Sequence, residues 1–123
     1  MQCDSDVPRP RVCVVDDDAQ LRESITLLLS TAGIAAAEFA SAEEFLAAVR
    51  PDQPACVLLD VRLPGMSGLD LLQVLGEAGS VPTVVMITGH GDVPMAVSAM
   101  RAGAVHFVEK PFDPDILLTI VEE

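Results

Sequence analysis

The segment Ala55-Cys56-Val57-Leu58-Leu59-Asp60 decides how the rest of the sequence is interpreted. Its five apolar residues in a row are typical of a strand that is buried on both faces, as the strands of a parallel sheet are. Arg62-Leu63-Pro64-Gly65 follows and breaks regular structure, so the strand ends near Asp60. Open parallel sheets bind their ligands outside the carboxyl ends of the strands, which makes Asp60 a candidate reactive group. Taken alone, Asp60 is better explained as an ordinary turn aspartate, and the other strands decide between these interpretations.

The rest of the sequence alternates between strand patterns and helix patterns. Hydrophobic runs predict strands at 11–15, 34–39, 55–60, 83–88 and 104–109. Apolar stripes and capping residues predict helices at 21–32, 41–49, 68–76, 93–102 and 114–123. This alternation predicts an α/β fold, a single doubly wound (βα)5 domain of the flavodoxin-like type with a parallel five-stranded sheet of order 2-1-3-4-5. We expect this domain to span 11–123 and residues 1–10 to form a flexible tail.

Composition and charge exclude several classes of protein. The 123 residues suffice for one domain, and 19 acidic residues against 7 basic ones give a net charge of −12. This charge argues against direct nucleic-acid binding by this segment and suits a site that recruits a cation. No apolar run approaches the ~20 residues of a membrane span and no export leader is recognisable, so we expect a cytoplasmic protein without membrane contact. Cys13 and Cys56 fall in apolar strands and are predicted to be buried thiols.

Polar residues follow four of the predicted strands, where each strand ends: Asp16 and Asp17, Asp60, Thr88, and Lys110. With the predicted strand order, strands one and four flank strand three at about 5 Å. Asp17 and Asp60 then face each other, and at ~4 Å their repulsion is on the order of 4 kcal/mol at an effective dielectric constant near 20. Such a cluster calls for a cation, and ligands that are all oxygen favour Mg²⁺ over zinc.

The lengths of the remaining side chains match their predicted distances from Asp60. Thr88 lies on the adjacent strand and needs only a short side chain, whereas Lys110, the only lysine in the chain, must span roughly 10 Å. A carboxylate can attack phosphorus and form an aspartyl-phosphate, and phosphoryl transfer needs positioned positive charge more than acid–base catalysis. The set therefore indicates that Asp60 accepts and holds a phosphoryl group, without enzymatic turnover beyond slow self-dephosphorylation.

At these residues the chain resembles the receiver domain of bacterial two-component response regulators. The matching motifs are Asp16-Asp17, Leu58-Leu59-Asp60-Val61-Arg62-Leu63-Pro64-Gly65-Met66-Ser67-Gly68, Thr88-Gly89 and Lys110-Pro111. The stretch from Ile87 to Ala96 is similar to the FixJ/NarL-type transcriptional regulators in particular. The resemblance covers 11–123, and its motifs recur in order with the right spacing.

The resemblance implies a partner and a set of roles. A sensor histidine kinase would phosphorylate Asp60, and the phosphorylated domain would control an output, in this subgroup transcription. Direct Mg²⁺ ligands would be Asp17, Asp60 and the backbone carbonyl of Arg62. Asp16 would act through water.

The resemblance also implies how the signal is passed on. Thr88 and Phe107 would form a switch pair, and a cis bond between Lys110 and Pro111 would aim the lysine inward. Phe107 lacks the hydroxyl of the tyrosine often found at this position, so burial of the ring alone would report the switch. We also expect that the last helix is truncated at Glu123 and that a DNA-binding output domain, through which any contact with DNA would be made, is absent from this chain.

The fourth predicted helix suggests a homodimer interface. The stretch 93–102 contains one charged residue in ten, although the outward face of a helix on a sheet is normally charged. We therefore expect exposed apolar surface here, including Val97, that joins two phosphorylated copies through the fourth helix and fifth strand. The alternative is that the small residues only allow close packing on the sheet.

Three other functions compete with the phospho-acceptor interpretation. A haloacid-dehalogenase-type phosphatase also uses a strand-end aspartate, but it needs a second aspartate where Arg62 stands. A flavodoxin-like flavin binder needs phosphate donors after strand one, where this chain has acidic residues. The remaining alternative is a stand-alone or inert pseudo-receiver that acts only as a protein-interaction module, and the complete phospho-acceptor set argues against it.

Overall fold

The computed structural model describes residues 12–48, 56–77, 83–89, 93–110 and 113–122. Five strands and five helices alternate along these residues, in the order β1 (Val12–Val15), α1 (Ala19–Thr31), β2 (Ala36–Phe39), α2 (Ala42–Ala48), β3 (Cys56–Asp60), α3 (Gly68–Glu77), β4 (Thr83–Thr88), α4 (Val93–Arg101), β5 (His106–Glu109) and α5 (Pro114–Glu122). The strands form one parallel sheet of order β2-β1-β3-β4-β5. The predicted fold class and strand order are confirmed. The predicted tail at 1–10 lies outside the described residues.

Strand β3 is the centre of the sheet and is buried along its whole length. Its side chains alternate between two cores, with Val57 and Leu59 in one and Cys56 and Leu58 in the other. This is the arrangement expected for a parallel strand covered by helices on both faces. Removing a large side chain here, such as Leu58, would leave a cavity and cost about 2–5 kcal/mol.

The two cysteines on the central strands are buried free thiols, as predicted. Burial raises the pKa of both Cys13 and Cys56 to about 11, so both remain protonated and unreactive at neutral pH. Cys13 belongs to the core on one face of the sheet and Cys56 to the core on the other. They are packing residues.

Two predicted strands begin too early. The helix before each of them ends shortly before a glycine, and the backbone N–H after that glycine bonds back to a carbonyl of the helix. Gly33 has φ 77°, and the N–H of Ile34 donates to the carbonyl of Leu29 at 3.0 Å. Gly103 has φ 116°, and Ala104 likewise donates to Ala99 at 3.0 Å. These amides satisfy backbone carbonyls that would otherwise lack a hydrogen-bond donor at the C-terminal end of each helix. Strands β2 and β5 therefore begin at Ala36 and His106 rather than at 34 and 104.

In the part of the chain that the structure describes, no helix is both long enough and apolar enough to cross a membrane.

Candidate functional site

The register of the sheet brings the predicted site residues to one edge. The last ladder pairs are Val15 with Leu59, Asp60 with Ile87, and Thr88 with Glu109. Beyond these pairs, backbone hydrogen bonds extend the sheet, from the N–H of Val61 to Ile87 at 3.0 Å and from the N–H of Lys110 to Thr88 at 2.8 Å. The ends of β1, β3, β4 and β5 therefore place these residues along one edge of the sheet, where open α/β sheets bind ligands.

Three carboxylates form an acidic cluster at this edge. Each of Asp16, Asp17 and Asp60 offers an oxygen, and these oxygens lie within 4.8 Å of one another. Asp16 and Asp60 are buried, whereas Asp17 is exposed. A set of ligand atoms that are all oxygen suits a hard divalent cation such as Mg²⁺. The three carboxylates at this spacing fit such an ion.

Lys110 bridges the two buried carboxylates of the cluster. Its Nζ lies 3.1 Å from Oδ2 of Asp16 and 3.4 Å from Oδ2 of Asp60. The contact with Asp60 matches the predicted reach of the only lysine, and the closer contact with Asp16 is new. Burial alone would lower the pKa of Lys110, but the charges of Asp60 and Asp16 outweigh it and raise the pKa above its ordinary value. Lys110 is therefore a permanent positive charge within the cluster.

The environment of Asp60 disfavours its ionised form. Burial is the largest effect, and repulsion from Asp16 adds to it. The N–H of Arg62, which donates to Oδ1 at 3.0 Å, and the ammonium of Lys110 act in the opposite direction. The net result raises the pKa of Asp60 from 3.8 to about 6. A bound cation would offset the repulsion and favour the carboxylate.

The loop after β3 is held by contacts that the sequence analysis did not anticipate. The N–H of Gly68 donates to the carbonyl of Val61 at 3.0 Å, and a Cβ on Gly68 would overlap the carbonyl oxygen of Asp60. The start of α3 thus packs directly on the backbone at the end of β3. The glycine of the Met66-Ser67-Gly68 stretch is the sequence signal for this contact, although the motif by itself does not predict the packing role.

A second contact joins the same loop to α2. Gly65 has φ 74°, and the N–H of Met66 donates to Oε2 of Glu43 at 2.9 Å. This hydrogen bond lowers the pKa of Glu43. No sequence pattern marks it, because the two residues lie 23 positions apart.

The proposed switch residues occupy different environments. Thr88, at the end of β4, is buried, whereas Phe107 on β5 is 44 % exposed. Phe107 pairs in register with Met86, two residues before Thr88 on the adjacent strand. The ring therefore lies largely outside the core. Pro111, and with it the expected cis bond, lies outside the described residues.

A family model, the response regulator receiver domain, matches residues 12–122. The chain belongs to this family. The receiver domain is 47% identical over 110 residues to the transcriptional regulatory protein FixJ of Azorhizobium caulinodans, covering 89% of this chain and 52% of that protein. The predicted resemblance, including the FixJ-type subgroup, is confirmed.

Solved structures agree with the receiver fold. The response regulator StyR superposes with a TM-score of 0.85 at 45% identity, covering 94% of this chain and 58% of that one. A structure named FixJ-N gives a TM-score of 0.81 at 44% identity, covering 90% and 89%. The receiver domain spans about half the length of the FixJ protein that it matches.

Proposed function

We propose that this receiver domain accepts a phosphoryl group on Asp60 from a sensor histidine kinase and thereby controls transcription through an output domain. The observation that carries the proposal is the buried carboxylate of Asp60, which is 6% exposed and lies 3.4 Å from the Lys110 ammonium within a three-carboxylate cluster. The names of the FixJ relatives support the link to transcription.

Magnesium is the proposed cofactor of the site. Asp17, Asp60 and the backbone carbonyl of Arg62 would hold it directly, and Asp16 would do so through water. When bound, Mg²⁺ supplies charge that stabilises the oxygens of a transferring phosphoryl group. The oxygen-only cluster supports this choice of metal.

The protein's own residues bind and orient the reacting groups. One carboxylate oxygen of Asp60 attacks the phosphorus of a phosphohistidine. The phosphorus–nitrogen bond breaks as the phosphorus–oxygen bond forms, and the electron pair of the broken bond stays on the imidazole nitrogen. The Nζ of Lys110, which contacts Asp16 and Asp60, would move its contact to the oxygens of the phosphoryl group once that group is bound to Asp60.

Signal output is proposed to use exposed apolar side chains on α4 and in and just before β5. Val97, Met100, Val105 and Phe107, here called the α4–β5 surface, are all exposed. Val97 is 47% exposed, as the sequence predicted. Movement of Thr88 toward the phosphoryl group and of the Phe107 ring inward would reshape this surface and join two phosphorylated copies.

Phosphate uptake tests the proposal. The domain is incubated with acetyl phosphate, with Mg²⁺ or with excess chelator, and its intact mass is measured. We expect one phosphoryl group in the wild type with Mg²⁺, and none in Asp60→Asn or in chelator. Equal uptake by the variant refutes the assignment of Asp60, and no uptake by the wild type favours the inert pseudo-receiver.

A further inference from the structure

The backbone carbonyl of Asp16 is bound by a side chain at a point where the sheet ladder stops. The N–H of Asp16 donates to the carbonyl of Phe39 at 3.1 Å, and Phe39 is the last residue of β2. The carbonyl oxygen of Asp16 instead accepts a hydrogen bond from Nη1 of Arg22 at 2.6 Å. Arg22, on the first turns of α1, thus replaces the donor that a longer strand would have supplied.

The guanidinium of Arg22 is itself fixed between α1 and β2. Its Nε lies 3.4 Å from Oε1 of Glu38, and the side chain is 16% exposed. The other oxygen of Glu38 accepts a hydrogen bond from Oγ1 of Thr26 at 2.9 Å, one turn farther along α1. Arg22 is mostly buried and paired with the Glu38 carboxylate, although its Nε makes no hydrogen bond, and the pairing restricts where its other nitrogens lie relative to the loop of residues 16–18.

These contacts leave the loop of residues 16–18 little freedom. Both backbone polar groups of Asp16 are bound, its Oδ1 accepts the N–H of Asp18 at 2.9 Å, and its Oδ2 lies 3.1 Å from Nζ of Lys110. The peptide plane that joins Asp16 to Asp17 is therefore fixed. That plane sets the direction in which the backbone enters Asp17, whose exposed carboxylate lies within 4.8 Å of those of Asp16 and Asp60.

We propose that Arg22 is a positioning residue for the Mg²⁺ site, acting through the carbonyl of Asp16. The inference rests on the proposed function, which supplies the metal. The charge of Arg22 and its proposed positioning role predict opposite effects of a substitution on the affinity for Mg²⁺. Removing a guanidinium near a cation site removes repulsion and tightens Mg²⁺ binding, whereas releasing the carbonyl of Asp16 misdirects Asp17 and weakens it.

Calorimetric titration of the metal-free domain with MgCl₂ separates these two effects. Arg22→Met keeps the apolar stem and removes the donor, and we expect its Kd for Mg²⁺ to rise about tenfold. Arg22→Lys keeps the charge but cannot reproduce the fixed planar donor, so we expect a severalfold rise at unchanged net charge. Arg101→Met, at an exposed arginine on α4, serves as the charge-matched control and should bind like the wild type.

Urea unfolding in chelator accompanies the titrations, because a merely structural residue would change stability without changing the Kd of the folded domain. If Arg22→Met does not fold, Arg22→Lys decides alone. An unchanged or lower Kd in the folded Arg22 variants overturns the positioning role and leaves the proposed function standing. A wild type that binds no Mg²⁺ overturns the proposed function itself.

Discussion

Asp60 should make the metal-free domain less stable at neutral pH than at acid pH. The folded protein raises the pKa of Asp60 from 3.8 to about 6, so the folded state binds this proton more tightly than the unfolded state does. The stabilisation is fully present below pH 3.8 and is lost as the pH rises through about 6. At about 1.4 kcal/mol per pKa unit, it amounts to at most about 3 kcal/mol.

Asp60→Asn removes the cost of burying an ionised carboxylate, because the amide carries no charge at any pH. In chelator at pH 8, we expect the variant to exceed the wild type in free energy of unfolding by up to about 3 kcal/mol. Near pH 4 the two should converge. Urea unfolding followed by circular dichroism measures the difference, since the chain lacks Trp and Tyr as fluorescent probes.

The control for this experiment is Glu77→Gln, at an exposed carboxylate near the end of α3. Its unfolding free energy should follow the wild-type pH dependence. An Asp60→Asn variant that is less stable than the wild type at pH 8 would refute the reasoning, because it would show that the contacts of the carboxylate with Lys110 and Arg62 outweigh its burial.

Three further predictions concern the metal, the loop and the interface. A hundredfold excess of Mg²⁺ over its Kd should stabilise the wild type by about 2.7 kcal/mol and Asp17→Asn much less, and an equal rise of both melting temperatures would place the metal elsewhere. Gly68→Ala should cost about 3 kcal/mol because its Cβ overlaps Asp60. Gly76→Ala in the same helix, with open space around it, should instead gain up to about 1 kcal/mol in urea unfolding, and similar values for both would contradict the packing role of Gly68. Beryllofluoride, which mimics the aspartyl-phosphate, should produce dimers of the wild type but not of Val97→Asp in sedimentation velocity, and a wild type that stays monomeric would refute the interface.

The sheet and the strand-end residues could be predicted from the sequence because both follow from short-range patterns and general rules of topology. A fully apolar run predicts a strand buried on both faces, as β3 is. Alternation with helices predicts a parallel sheet, and parallel strands present their carboxyl ends on one edge. Asp60, Thr88 and Lys110 then had to lie near one another.

The contacts that fix the site could not be predicted in the same way, since they join residues whose proximity depends on how helices dock. Glu43 reaches the N–H of Met66 from α2, and Arg22 reaches the carbonyl of Asp16 from α1. Each is a long polar side chain on a helix, which the sequence alone presents as an ordinary solvated residue. The predicted early starts of β2 and β5 have a related cause. The amides of residues 34 and 104 donate to carbonyls of the preceding glycine-terminated helices.

The covalent position of the phosphoryl group is the measurement that decides the role of Asp60. Sodium borohydride reduces an acyl phosphate to an alcohol, so a phosphorylated aspartate becomes homoserine, which peptide mass spectrometry locates. After treatment with acetyl phosphate and Mg²⁺, we predict homoserine at position 60 and none at Asp16 or Asp17. Homoserine at Asp16 or Asp17, or at no position in protein that has gained phosphate, would contradict the assignment of Asp60 as the phospho-acceptor.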